Sequence, residues 1–234
     1  MILCLETATS FCSVALCDRD GIVALKESGE DRSHASRLTV FIEDVLKEAG
    51  IKASSLEAVA VSKGPGSYTG LRIGVSTGKG IAYGASIPLI SVDTTLSMFL
   101  GFLPEAEKKY EVDPTDLFCP ALDARRMEIY HSVFDSSGKT VKGISAEIVD
   151  RDFLTDFMPD RRIFVFGDGA AKCMEAMARK NVVFTIGFII SAAFMRTAAY
   201  RSLDNKCFED VAYFEPFYLK DFLTTKPVKN IPGK

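Results

Sequence analysis

The stretch Leu5-Glu6-Thr7-Ala8-Thr9-Ser10-Phe11-Cys12-Ser13-Val14-Ala15-Leu16-Cys17-Asp18-Arg19-Asp20-Gly21 decides the fold, because its pattern returns later in the chain. An apolar run ends at the acidic residue Glu6, and a second runs from Phe11 to Cys17. Asp18-Arg19-Asp20-Gly21 then supplies a turn, and Ile22 to Leu25 resumes the apolar pattern. Short apolar runs bounded by turn residues read as strands. The second copy is Leu122-Asp123-Ala124, Glu128 to Phe134, Asp135-Ser136-Ser137-Gly138, and Lys139 to Ile144. A single offset of 117 positions sets Glu6 on Asp123, Asp18 on Asp135 and Gly21 on Gly138. Self-similarity at half the chain length predicts two similarly folded halves.

Each half goes on to alternate helix and strand. In the first, Leu38, Phe41, Ile42, Val45, Leu46 and Ala49 recur at helical spacing after Ser33, with Gly50 as a stop. Ala58 to Val61 reads as a buried strand. In the second half, Arg151 to Met158 reads as a short helix, Ile163 to Phe166 as a strand and Gly167-Asp168-Gly169 as a turn. A helix over Ala170 to Lys180, a strand over Val182 to Phe184 and a helix over Ser191 to Leu203 follow. Such alternation makes the class α/β with mixed sheets. Glu105 to Asp116 is charged, follows Pro104 and contains Pro114, so it reads as the linker. The expected domains are 1–105 and 106–234, the second ending in a flexible tail.

Between the strand at Ala58 and the next helix lies Ser62-Lys63-Gly64-Pro65-Gly66-Ser67-Tyr68-Thr69-Gly70-Leu71-Arg72-Ile73-Gly74. Ser67 or Thr69 can cap the helix, since a hydroxyl satisfies orphan N–H groups of the first turn. A strand, a tight glycine loop and a helix N-terminus can form an anion site; they can equally be a close connection. Two phosphate-loop patterns fail. For a Walker A loop around Gly78-Lys79, Ile73 stands where the first Gly belongs and Gly80 where the hydroxyl belongs. For G-x-G-x-x-G starting at Gly64, the third Gly is replaced by Thr69. The helix carries Gly70, Gly74, Gly78, Gly80 and Gly84, and each interior Gly costs about 1 kcal/mol against Ala. Gly70, Gly74 and Gly78 form one stripe that admits a close backbone neighbour, from the same chain or from another subunit.

The 234 residues carry a net charge of −3, and 47% are hydrophobic. An acidic chain lacks the broad positive field that drives binding to a phosphate backbone. Lys220, Lys226, Lys229 and Lys234 give only the tail a basic bias. Cys4, Cys12, Cys17, Cys119, Cys173 and Cys207 show no C-x-x-C pair, so reduced core thiols in a cytoplasmic protein are expected. The N-terminus does not read as a signal peptide. The fifteen uncharged residues between Lys180 and Arg196 fall short of the ~20 that span a bilayer.

His34 and His131 are the only histidines and form no metal pair; His131 is expected as a half-exposed strand residue. No G-x-S-x-G elbow is present. The carboxylates Glu6 and Asp123 each end the first strand of their half. There a carboxylate can hold Mg²⁺ or act as a base, or simply accept N–H bonds from its own turn. Arg125 and Arg126 stand ready to neutralise Asp123. No catalytic, cofactor-binding or metal-ligating residue is assigned.

Gly64 to Gly74 resembles the signature of the TsaB (YeaZ) family, required for threonylcarbamoyladenosine in tRNA. Leu5-Glu6-Thr7-Ala8-Thr9, Leu122-Asp123-Ala124-Arg125 and Glu128-Ile129-Tyr130 resemble its opening and central motifs. Glu215-Pro216-Phe217-Tyr218-Leu219-Lys220 and Pro232-Gly233-Lys234 resemble its ending. The resemblance implies a two-lobed, duplicated actin-like (ASKHA, ribonuclease H-like) α/β fold and a partner rather than a catalyst. Its implied partners are a TsaD-like subunit that transfers threonylcarbamoyl to adenosine 37, a TsaE-like ATPase and, when alone, a second copy. It implies tRNA contact only through the complex, and no membrane. The implied partner face includes His34, Leu38, Ile42, Gly70, Arg72, Gly74, Val75, Gly78 and Ile81. Glu6 stands for the family's Asp and Lys220 for its Arg. The histidine metal pair of TsaD relatives is absent. An ATP-dependent enzyme of the actin-like superfamily and a glycoprotease-type peptidase are the alternative readings.

Overall fold

The computed structural model describes residues 1–29, 34–157, 161–177 and 179–219. Strand β1 (Ile2–Glu6) pairs antiparallel with β2 (Cys12–Cys17), which pairs antiparallel with β3 (Ile22–Ser28). On its other side β1 runs parallel to β4 (Ala58–Gly64), and β4 parallel to β5 (Leu89–Asp93). The sheet order is β3-β2-β1-β4-β5. The second half repeats it strand for strand. In the order β10-β9-β6-β7-β8, β6 (Leu117–Asp123) is antiparallel to β7 (Glu128–Asp135), and β7 to β8 (Thr140–Ile148). Parallel β9 (Ile163–Phe166) and β10 (Val182–Thr185) complete it. The predicted duplication is therefore a duplication of topology.

Alternation along each strand sends successive side chains to opposite faces. Leu3, Leu5, Val14, Leu16, Val59 and Val61 lie under α1 (His34–Glu48) and α2 (Tyr68–Ala85). Ile2, Cys4, Ala15, Cys17, Ala58 and Ala60 face the other way, against α5 (Arg196–Asp204) and the 3₁₀ turn before it. Both faces are covered, which is why β1 and β2 read as unbroken apolar runs. In the second sheet, Cys119, Ala121, Ile129 and Val133 pack on α4 (Ala170–Ala176). Phe118, Phe134, Phe164 and Phe166 pack on α3 (Thr94–Lys109), which follows β5 directly and so joins the two halves.

The expected linker is corrected here. Glu105 to Lys109 belongs to α3, which passes through Pro104, and only 110–116 connects to β6. An interior Pro costs about 3 kcal/mol. Phe99 and Phe102 on one side of Pro104 and Ala106 on the other are all buried, and their packing outweighs it. The expected division at 105/106 therefore cuts a helix. Moreover, 192–204 packs on the first sheet although it lies in the second half of the sequence. Arg151 to Phe157 forms turns and one 3₁₀ turn (Thr155–Phe157) rather than a helix, and the helix begun at Ala170 stops at Ala176. Ser33, Met158 and the tail lysines Lys220, Lys226, Lys229 and Lys234 lie outside the described residues. Among the described residues no helix is long and apolar enough to cross a membrane.

Candidate functional site

Ser67 caps α2, its Oγ accepting from Gly70 N at 3.2 Å. The loop before it is a close connection, because the chain's own carbonyls fill the space an anion would take. Ser67 N donates to Ala8 O at 2.6 Å, and Phe217 N donates to Lys63 O at 2.7 Å. A Cβ on Gly64, whose φ is +118°, would fall under 3.0 Å from Phe217 O, and one on Gly66 under 3.0 Å from Ala8 O. A notch lined by carbonyl oxygens repels an anion rather than cradling it.

Glu6 is fully buried. Its Oε1 accepts from Ala8 N at 2.7 Å and from Ser62 Oγ at 2.8 Å, while Oε2 has no partner among the described residues. Burial pushes its carboxyl up to about 7, against the N–H and hydroxyl donors that lower it. Of the two roles open to it in sequence, accepting from its own turn is the one observed. Asp123 is exposed; Oδ1 accepts from Arg125 N at 2.6 Å and from Lys172 Nζ at 2.8 Å. Neutralisation by Arg125 and Arg126 is thus corrected: Lys172 supplies the charge, and Arg125 only a backbone N–H. Asp123 N in turn donates to Asp168 Oδ1 at 2.9 Å, and burial raises Asp168.

Between the two sheets lies a cavity of about 90 Å³, lined by Thr9, Phe11, Met98, Leu122, Asp168 and Phe188, among others. Nucleotide-sized ligands need roughly 300 Å³ or more. The stacked rings of Phe102 and Phe166, 4.0 Å apart, and the edge of Phe188 fill the space beside it. Among the described residues no three His, Cys, Asp or Glu side chains group closely enough to hold a metal ion.

His131 is buried, not half-exposed. Its Nδ1 lies 3.8 Å from Cys119 Sγ, and its Nε2 3.2 Å from Glu147 Oε2. The order Cys, His, Glu is that of a nucleophile, base and orienting acid. However, Cys119 is sealed in the core and burial raises its thiol well above the usual range, so no substrate reaches it.

The glycine stripe of α2 meets its own chain. A Cβ on Gly70 would collide with Thr7 O, one on Gly74 with Thr7 Oγ1, and one on Gly78 with Val61. Leu38 and Val75 are core residues. These five are corrected as partner contacts, because they are already covered. Ile42 and Ile81 are half-buried, Arg72 is exposed, and His34 opens α1 with its side chain outside the described residues. What α2 leaves open is a second stripe, Ser76, Gly80 and Gly84. Among the described residues, a Cβ on either of these two glycines would meet nothing within 4 Å. Tyr83 beside it is 82% exposed, and Val40 on α1 is 52% exposed. Sequence reasoning missed Lys79, whose Nζ donates to Ala212 O and Phe214 O and ties the C-terminal segment to α2. Tyr218 was legible only as part of the ending motif; its ring lies 4.8 Å from that of Tyr68 and tilted against it, and Arg72 lies over the Tyr68 ring at 4.4 Å. No spacing rule links positions so far apart.

Residues 29–213 match the family model described as TsaD: tRNA N6-adenosine threonylcarbamoyltransferase. A tRNA threonylcarbamoyladenosine biosynthesis protein TsaB of Haemophilus influenzae is 27% identical over 100% of this chain and 98% of its own. That of Escherichia coli is 36% identical over 55% of this chain and 52% of its own. The solved structure of YeaZ from Pseudomonas aeruginosa has a TM-score of 0.78 at 23% identity, covering 93% of this chain and 99% of that one. The fold is thus the α/β fold of YeaZ, two mixed five-stranded sheets of the same topology.

Proposed function

We infer the function from one premise: the chain belongs to the family described as TsaD: tRNA N6-adenosine threonylcarbamoyltransferase, among its TsaB (YeaZ) members. It serves threonylcarbamoyladenosine biosynthesis as a docking subunit without chemistry of its own. A TsaD-like partner carries out the transfer to adenosine 37 of tRNA, and a TsaE-like ATPase joins the assembly. Alone, the chain pairs with a second copy through the same face. The site of action is the cytoplasm, and tRNA is engaged within the complex.

The observation that carries this reading is the filled glycine loop. Ala8 O and Phe217 O occupy the notch of the loop that an anion would have to enter, and Glu6 is spent on its own turn. The docking face is the open side of α2, with Arg72, Ser76, Gly80 and Gly84 beside Tyr83, and with Val40 and Ile42 of α1. Interior glycines that touch nothing in the monomer lower its helix stability without any return inside the chain. Close approach of a partner helix gives them a use.

The test is sedimentation of the chain mixed with a TsaD-like subunit. Gly80→Leu and Gly84→Leu place side chains in open space, so the monomer folds with unchanged or raised stability. The expected result is a complex with the parent and none with the double variant. A double variant that still forms the complex assigns the wrong face, and a parent that forms none overturns the docking role.

A further inference from the structure

We propose that the groove between α5 and the β2–β3 turn binds a phosphate group, presented either by an RNA backbone or by a mononucleotide. The groove is open to solvent, offers about 520 Å³ and is lined by Arg19, Arg196, Thr197, Arg201, Asp204 and Asn205 around Tyr200. That volume suits a nucleoside phosphate or a short stretch of backbone.

The three arginines have different standing. Arg19 is committed: its two guanidinium nitrogens bond both oxygens of Asp204, at 2.6 and 3.1 Å, and its head lies over the Tyr200 ring. This pair draws the groove's one carboxylate away from an incoming anion, and Arg19 holds that carboxyl below its usual range. Arg196 uses a single nitrogen, Nη1, on Arg19 O at 2.6 Å, which orients the guanidinium and leaves its other donors available. The Arg201 guanidinium has no hydrogen-bond or ion-pair partner among the described residues. The nearby carboxylates are engaged elsewhere. Asp18 accepts from Asp20 N and Gly21 N, and Glu57 pairs with the N-terminal ammonium. Two guanidinium forks beside a hydroxyl and an amide are the donor set that recognises phosphate oxygens.

The groove lies on the face of the first sheet opposite α1 and α2. A partner on the docking face leaves it open. The inference does not depend on the docking role, because binding is read on the chain alone.

The test is fluorescence anisotropy with a labelled RNA stem-loop at low ionic strength, with AMP and inorganic phosphate as competitors and as direct ligands in calorimetry. Arg196→Gln with Arg201→Gln is compared with Lys108→Gln with Lys139→Gln, which removes the same two charges from exposed positions outside the groove. Melting curves check that both fold. The expected result is salt-sensitive RNA binding that the arginine pair weakens by about tenfold or more and the lysine pair by less than about twofold. Binding of AMP or phosphate with the same arginine dependence, without RNA binding, identifies a small phosphate as the source. Binding of neither probe, or equal loss in both double variants, overturns the proposal.

Discussion

At the scale of the residue, Glu6 shows how a position can be legible in the sequence while its use is not. A carboxylate at the end of a strand and before a turn is readable; whether it faces a ligand or its own backbone depends on what covers it. Here the Gly64–Ser67 loop and the β1–β2 turn close over it, and Oε2 is left without a donor among the described residues. The consequence is a pH dependence with a definite sign. The folded carboxyl is raised to about 7 from 4.5, so folding favours the protonated form. Its contribution is fully present below pH ~4.5 and is lost as pH rises through ~7, on the order of 3 kcal/mol in all. Glu6→Gln keeps an acceptor for Ala8 N and Ser62 Oγ but cannot ionise. Urea unfolding at pH 5 and pH 8 is expected to show the parent losing stability relative to this variant as pH rises. Parallel behaviour at both pH values would mean that Glu6 is not held up by burial. The contrasting case is Ser67, legible in sequence as one of two capping candidates with Thr69, because a cap depends on a few residues of local chain.

At the scale of the element, α2 carries two glycine stripes whose spacing is plain in the sequence and whose neighbours are not. Gly70, Gly74 and Gly78 face β1 and β4, while Gly80 and Gly84 face open space. Alanine therefore has opposite effects on the two sets. Gly70→Ala drives a Cβ into the backbone carbonyl of Thr7, which cannot swing aside, and is expected to destabilise by about 1–3 kcal/mol. Gly84→Ala meets nothing and is expected to stabilise by up to about 1 kcal/mol through helix propensity. Thermal unfolding of the two variants reads both signs, and equal effects would contradict the packing. The misread elements fail for an identifiable reason. Pro104 and the charges after it are local signals for a break, but α3 is fixed by apolar contacts to a sheet formed later in the chain. Conversely, Arg151 to Phe157 has helix-compatible spacing, yet Phe153 and Leu154 are buried from a run of turns.

At the scale of the whole molecule, the repeated sheet order was legible because strand and turn punctuation is local and recurs at one offset. What joins the halves was not, since the ring contacts link α3 to strands far along the sequence. Phe102 stacks on Phe166 at 4.0 Å and meets Phe118, Phe164 and Phe188. Phe102→Ala is expected to lower stability by about 3–5 kcal/mol in chemical denaturation. A loss below about 1 kcal/mol would show that these rings do not bind the halves together. The proposed docking role rests on a glycine loop filled by the chain's own carbonyls, a small cavity between the sheets beside stacked aromatic rings, and one helix face left open. The measurement that tests this most directly is a reconstituted threonylcarbamoyl transfer reaction containing tRNA, a TsaD-like subunit and a TsaE-like ATPase. The account predicts modified tRNA when this chain is present, little when it is omitted, and little with the folded Gly80→Leu, Gly84→Leu variant. Undiminished modification without the chain, or with that variant, would contradict it.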